Sequence, residues 1–123
     1  MLWPALSLAP VILMALPPQS DDELEQQAQR VVVGEVLAVF QREVEVSDGT
    51  DLHFVAQVQP SVKGEGPLYV HFRQTKKRPP GWSGPSGQDA PLQPGKGAVR
   101  LYLRKDADGA WWLLEPNGWT KTG

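Results

Sequence analysis

The stretch Val31-Val32-Val33-Gly34-Glu35-Val36-Leu37-Ala38-Val39-Phe40 decides the fold of this chain. It is rich in β-branched residues, which favour strands, and its successive side chains fall on opposite faces. Both faces are largely apolar at the start of this stretch, so we predict a strand whose N-terminal end is covered on both sides. Gly34 predicts a bend or bulge. The alternation extends towards Val46, and Ser47-Asp48-Gly49 predicts a hairpin turn.

Four further runs are predicted to be strands, three of them with strict alternation, and turn residues follow them. The side chains that this alternation directs inwards are Leu52, Phe54, Ala56, Val58 and Val62, then Leu68, Val70 and Phe72, then Val99, Leu101 and Leu103. The fourth strand is predicted over 98–104 and the last over 111–114. With 12 Pro, 12 Gly and no strand–helix–strand unit, the chain is predicted to be all-β. We expect a small five-stranded antiparallel barrel.

The N-terminal segment, residues 1–19, contains no charged side chain, and Leu6 to Leu16 is nearly all apolar. This run is too short for an ordinary transmembrane helix and has the length of the hydrophobic region of a signal peptide. We therefore predict export to the periplasm or the cell exterior, with no stable membrane span after processing.

The segment 20–30 is predicted to form a short helix. Ser20 and Glu23 have the spacing of a capping box, and Leu24 and Ala28 share one face of a helix over about 21–29. The remaining organisation is a single barrel domain over 31–119 and a tail over 120–123.

Residues 75–97 separate the third and fourth strands. They contain five Pro and five Gly and show no hydrophobic period. A loop of this length in a small domain is functional or mobile.

Several short motifs resemble a known group of proteins. Val33-Gly34-Glu35-Val36, Val62-Lys63-Gly64 and the Gly95 that precedes Leu101-Tyr102-Leu103 are similar to those of exported bacterial OB-like domains, which are related to the netrin and metalloproteinase-inhibitor (TIMP-like) superfamily. The resemblance covers roughly 31–115 and implies an exported OB-like domain. Inhibitors of this superfamily reach the target zinc through an N-terminal cysteine. This chain has no cysteine, so that mechanism is not carried over.

Composition and motifs exclude several kinds of chemistry. Without cysteine there is no disulfide, thiolate zinc site or cysteine nucleophile. The net charge of −2 gives no basic field for nucleic acid. No phosphate-binding glycine motif occurs, and Gly84-Pro85-Ser86-Gly87 lacks the spacing of a nucleophile elbow. We predict a protein that is not an enzyme and uses no cofactor.

His53 and His71 are the only histidines, and alternation places both on outward faces of adjacent strands. They could therefore lie near each other. One hypothesis is a metal-binding protein or hydrolase that uses this pair. Two surface histidines without a required third ligand are the favoured interpretation.

The strongest functional signal is an aromatic and basic surface. Its predicted members are Tyr69, His71, Arg73, Lys76, Lys77, Arg78, Trp82, Arg100, Tyr102 and Arg104. OB folds bind ligands with such a face through stacking and charge. Of the adjacent Trp111 and Trp112, alternation lets only one point inwards.

These patterns together predict an exported, non-catalytic binding domain of the bacterial envelope. Its partner would be a protein, a peptide or an envelope component, and nucleic acid is not expected. The alternative is an OB module that binds single-stranded nucleic acid.

Overall fold

The computed structural model describes residues 17–82, 84 and 86–122, so the predicted signal peptide lies almost wholly outside the described residues. The elements are α1 (Asp21–Gln27), β1 (Arg30–Val46), β2 (Gly49–Pro60), β3 (Leu68–Lys77), β4 (Ala98–Lys105), β5 (Trp111–Leu113) and β6 (Trp119–Lys121). Strands dominate, which confirms the all-β class. Within the described part of the chain, no helix has the length and apolar character that a membrane crossing requires.

Helix α1 begins with the predicted capping box. The Glu23 amide donates to Ser20 Oγ at 3.2 Å, and the Ser20 amide donates to Glu23 Oε1 at 2.9 Å. These hydrogen bonds lower the pKa of Glu23. The helix ends at Gln27, earlier than predicted, because Ala28 already has extended backbone angles. Leu24 is fully buried and anchors the helix to the sheet.

The strands form one sheet in the order β1-β2-β3-β5-β4-β6, and β1 also pairs with β4. These pairings close the first five strands of the order into a ring. All pairs are antiparallel except β3–β5, which is parallel, so the prediction of a purely antiparallel sheet is wrong at that pair. The predicted tail over 120–123 is also wrong, because residues 120 and 121 belong to β6 and pair with β4.

Strand β1 bends at a bulge. Its pairing with β2 shifts register between Val36 and Ala38, three residues after the predicted position at Gly34. Gly34 is needed for a different reason. A Cβ there would lie 2.5 Å from the carbonyl oxygen of Gln59, so only glycine lets the two backbones approach this closely.

The interior of the ring holds the hydrophobic core, and most of the predicted inward side chains lie there. The buried members are Val32, Val36, Phe54, Ala56, Val58, Val70, Phe72, Leu92, Val99, Leu101, Leu103 and Leu113. Val62 was predicted to face inwards, and this is wrong. It is 61% exposed because β2 ends at Pro60, two residues earlier.

The long loop between β3 and β4 is shorter than predicted, and two of its side chains, Gln88 and Leu92, are buried. β3 continues to Lys77, and Leu92 of the loop is only 2% exposed within the core. The buried Gln88 side chain donates to the carbonyl of Leu114 at 2.6 Å and accepts from the amide of Gly118 at 3.1 Å. The Gln88 amide group therefore joins this loop to the segment between β5 and β6, and the Asp89 amide adds a hydrogen bond to the Pro116 carbonyl at 2.7 Å.

Candidate functional site

Two arginines of the predicted surface belong to an ion-pair chain that we call the Asp51 network: Glu115, Arg73, Asp51, Arg78 and Asp48. Arg73 binds Glu115 in a bidentate manner at 2.8 and 2.9 Å and approaches Asp51 at 3.5 Å. Arg78 binds the other oxygen of Asp51 at 2.6 Å and lies 3.8 Å from Asp48. Because carboxylates already neutralise both guanidinium groups, neither offers a ligand an unpaired charge.

The other basic residues of the predicted surface in this region are Lys76 and Lys77, which lie at the exposed end of β3. Lys76 forms an ion pair with Glu43. The Arg78 guanidinium lies 4.9 Å from the centre of the Trp82 ring, which is the distance of a cation–π contact. An open groove of about 400 Å³ follows this segment, and both charge signs line it. The positive and negative charges at this end of the molecule therefore largely balance.

Tyr102 was predicted to face outwards on β4, and it does so, but it is not part of an exposed surface. Its side chain is 2% exposed because α1 covers that face, and it packs with Leu24 and Leu114. Its place in the predicted binding surface is wrong. Arg100 and Arg104, on the same face of β4, are exposed.

His53 and His71 do lie next to each other, as their positions on adjacent strands suggested. Nε2 of His53 is 2.9 Å from Nδ1 of His71, so one ring donates a hydrogen bond and the other accepts it. Trp112 stacks on both, with ring centroids 5.1 Å from His53 and 5.2 Å from His71. We call these three residues the His–Trp cluster.

A turn between β4 and β5 holds the indole of the cluster in place. Nε1 of Trp112 donates to Asp106 Oδ2 at 2.8 Å. Oδ1 of Asp106 accepts from the amides of Asp108 and Ala110, each at 2.9 Å. These hydrogen bonds, with that of Ala110 as the largest cause, lower the pKa of Asp106. The ionised carboxylate therefore keeps the indole in a fixed orientation.

The neighbouring Trp111 has the opposite orientation, as alternation predicted. It packs against the core, and the side chains of Arg30 and Lys105 lie over its ring at 5.4 and 4.9 Å. Only Trp112 therefore reaches the outer face. Sequence analysis identified that one of the pair would do so, but not which one, because the register of β5 was unknown.

The cluster lies in the middle of the outer face of the sheet. His71 pairs with Val55 on one side and with Trp112 on the other, and Trp112 pairs with Arg104. Tyr69, two residues before His71 on the same face, is 52% exposed. This arrangement combines flat rings on β2, β3 and β5 with the cationic side chain of Arg104 on the adjoining β4.

Both histidines of the cluster are held in the neutral form. Desolvation lowers the pKa of His53 and of His71 below the ordinary value of 6.5. A proton on His71 and the positive charge of Arg42 lower the pKa of His53 further, whereas Asp106 partly opposes the shift at His71. The folded protein therefore takes up these protons at a lower pH than the unfolded chain does.

The free energy of unfolding is expected to fall as the pH decreases below about 6.5, because the unfolded chain then binds more protons than the folded one. Urea unfolding at a series of pH values between about 8 and 5 measures this dependence. The matched control is the double variant His53→Gln/His71→Gln, which has no histidine and is expected to lose most of the slope. A wild-type free energy of unfolding that stays constant or increases as the pH is lowered would contradict the expectation.

The cluster supplies two nitrogen ligands for a metal. Among the described residues there is no group of three or more histidine, aspartate or glutamate side chains that could hold a metal ion. Zinc sites in proteins use three or four side-chain ligands. A metal bound by this pair would take its other ligands from water or from a bound molecule.

No protein-family model matches the chain, and neither a curated protein nor a solved structure gives a significant match.

Proposed function

We propose that this protein is an exported, non-catalytic binding domain of the bacterial envelope, with an OB-like fold. The ligand face consists of the His–Trp cluster together with Tyr69. The ligand is an envelope component that presents sugar rings or peptide groups to flat aromatic surfaces.

One observation carries this proposal. In OB folds, ligands bind on the face of the second and third strands and beside the loops that join strands 1–2 and 4–5. His53 lies on β2, His71 lies on β3, and Asp106 lies in the β4–β5 turn. The five paired strands form a ring of the size that this fold uses. The position of this aromatic cluster on β2, on β3 and beside the β4–β5 turn supports the proposed ligand face.

The chemistry of the face favours stacking over charge pairing. The Trp112 indole is fixed by Asp106, so little conformational entropy is lost when a ring packs against it. Arg73 was predicted as a member of the aromatic and basic surface, but its charge is engaged by Glu115 and Asp51. Arg104, which pairs with Trp112 and is exposed, remains available to a carboxylate of the ligand.

Export is supported by the charge-free apolar segment that precedes Ser20. The experiment is expression of the full chain in a bacterial host, followed by measurement of the compartment and mass of the product. A periplasmic product shortened by about 15–20 residues is expected. A full-length cytoplasmic product would overturn the assigned location.

Binding is tested with two probes, soluble peptidoglycan fragments and a single-stranded deoxythymidylate oligomer, by isothermal titration calorimetry. We expect the peptidoglycan fragments to bind. Trp112→Ala and Tyr69→Ala should each weaken this binding roughly 3- to 10-fold, because one aromatic contact contributes about 0.5–1.5 kcal/mol.

The matched control is Trp82→Ala, which removes the aromatic ring that contacts Arg78, outside the proposed face. It should leave the affinity unchanged. Salt-dependent binding of the oligonucleotide alone would instead support the nucleic-acid module. Binding of neither probe, or equal losses in all three variants, would contradict the proposed face.

A further inference from the structure

Strand β1 has a long edge without a backbone partner in the described residues. The strand pairs with β4 only from Arg30 to Glu35, whereas its pairing with β2 continues from Gly34 to Val46. Along residues 36–46 the side away from β2 therefore carries unpaired amide and carbonyl groups. At about 3.3 Å per residue, this free edge is roughly 35 Å long.

The free edge lacks most of the features that keep exposed strands from pairing. Natural edge strands are protected by lysine, proline, short length or a covering element. Residues 37–46 contain neither lysine nor proline, and only the bulge at Leu37 interrupts them. Leu37 is 51% exposed and Phe40 is 60% exposed. The edge is apolar from Leu37 to Phe40 and carries Arg42, Glu43 and Glu45 further along. A free edge of this length with few protecting features is suited to accept another strand.

We propose that this edge binds a second copy of the chain, β1 against β1 in antiparallel orientation, so that the two sheets become continuous. A twofold axis at Gln41 uses the whole edge, since Val36 then lies opposite Val46 and Leu37 lies opposite Glu45. This axis is at the middle of residues 36–46, so both copies satisfy every exposed backbone group of the segment.

The charges along the edge select this register. With the axis at Gln41, Phe40 lies opposite Arg42 of the second copy, and the reciprocal contact makes two cation–π pairs. Val39 then lies opposite Glu43. An axis at Arg42 or at Glu43 would instead place like charges directly opposite each other, which is destabilising. The sequence is thus self-complementary about Gln41.

The first test is the oligomeric state of the full chain, measured by size-exclusion chromatography with light scattering from about 1 to 200 µM. We expect a concentration-dependent species of twice the monomer mass. Phe40→Lys places a charge on an exposed position of the edge and is expected to leave the protein folded and monomeric. Lys63→Ala, in the turn between β2 and β3, is the matched control and should still dimerise.

The second test uses the absence of cysteine in the wild-type chain. Gln41→Cys brings the introduced thiols of two copies together only in the proposed register, so mild oxidation should link the dimer rapidly. Glu45→Cys lies on the same strand, but its thiols are separated by about eight residue spacings, roughly 26 Å. It should cross-link at least about tenfold more slowly, since a disulfide bond needs Cβ atoms about 4 Å apart.

A monomer at all concentrations would overturn the proposal. So would a dimer that persists in Phe40→Lys, or equal cross-linking at positions 41 and 45. The proposal is independent of the ligand face, because the strand edge and the His–Trp cluster are changed by different variants.

Discussion

Asp51→Asn is expected to lower the free energy of unfolding by about 3 kcal/mol, the range for removing one partner of a buried ion pair. The Asp51 side chain is 10% exposed and lies between Arg73 and Arg78, of which Arg78 is 9% exposed. Asparagine has a similar shape but no charge, so two guanidinium groups would lose their shared counter-ion. Urea unfolding at neutral pH measures the change.

The matched control is Glu43→Gln, which removes the charge of an ion pair with Lys76 at the same end of the sheet. Both side chains of that pair are about half exposed, at 57% and 47%. Such exposed pairs contribute about 0–1 kcal/mol, so little change is expected. If the two variants lose similar amounts of stability, the Asp51 network does not stabilise the fold more than an exposed ion pair does.

Leu92→Ala is expected to destabilise the protein by about 2–5 kcal/mol, as for other leucines removed from a packed core. Leu92 belongs to the loop between β3 and β4 but is 2% exposed among the core side chains. Removing its side chain leaves a cavity that the surrounding strands fill only in part. Thermal or urea unfolding of the variant measures the loss.

The adjacent Gln93→Ala serves as the control, because Gln93 is exposed and lies on the same loop. It should change the stability by less than about 0.5 kcal/mol. A small effect of both substitutions would mean that the loop detaches from the core in solution.

Local patterns predicted the interior of the sheet well. Val70 and Phe72, and then Leu101 and Leu103, are buried as their alternation indicated, because period-two patterns directly encode the two faces of a strand. The capping box at Ser20 was equally local and is present. Features that depend on two or three neighbouring residues could thus be predicted from the sequence.

Features that depend on segments distant in the sequence could not be predicted in this way. Arg73 has the position of an exposed cation, and only the fold brings Glu115 to it. Tyr102 alternates outwards correctly, but nothing in its own strand indicates that α1 covers it. The parallel pair β3–β5 and the three-residue β6 leave no distinct local pattern. The candidate site was found in part, since His53 and His71 were paired by register while the role of Asp106 was not foreseen.

The double role of β1 has a consequence for how the protein is made. Its C-terminal half pairs with β2 across a two-residue turn, so that hairpin can form soon after it leaves the ribosome. The first half of β1 becomes paired much later, because Val33 pairs with Arg100, which lies far along the chain. At roughly 5–20 residues per second, the valine-rich start of β1 stays without β4 for several seconds. A slower supply of β4 should lower the yield of folded protein, because this apolar segment then stays exposed for longer.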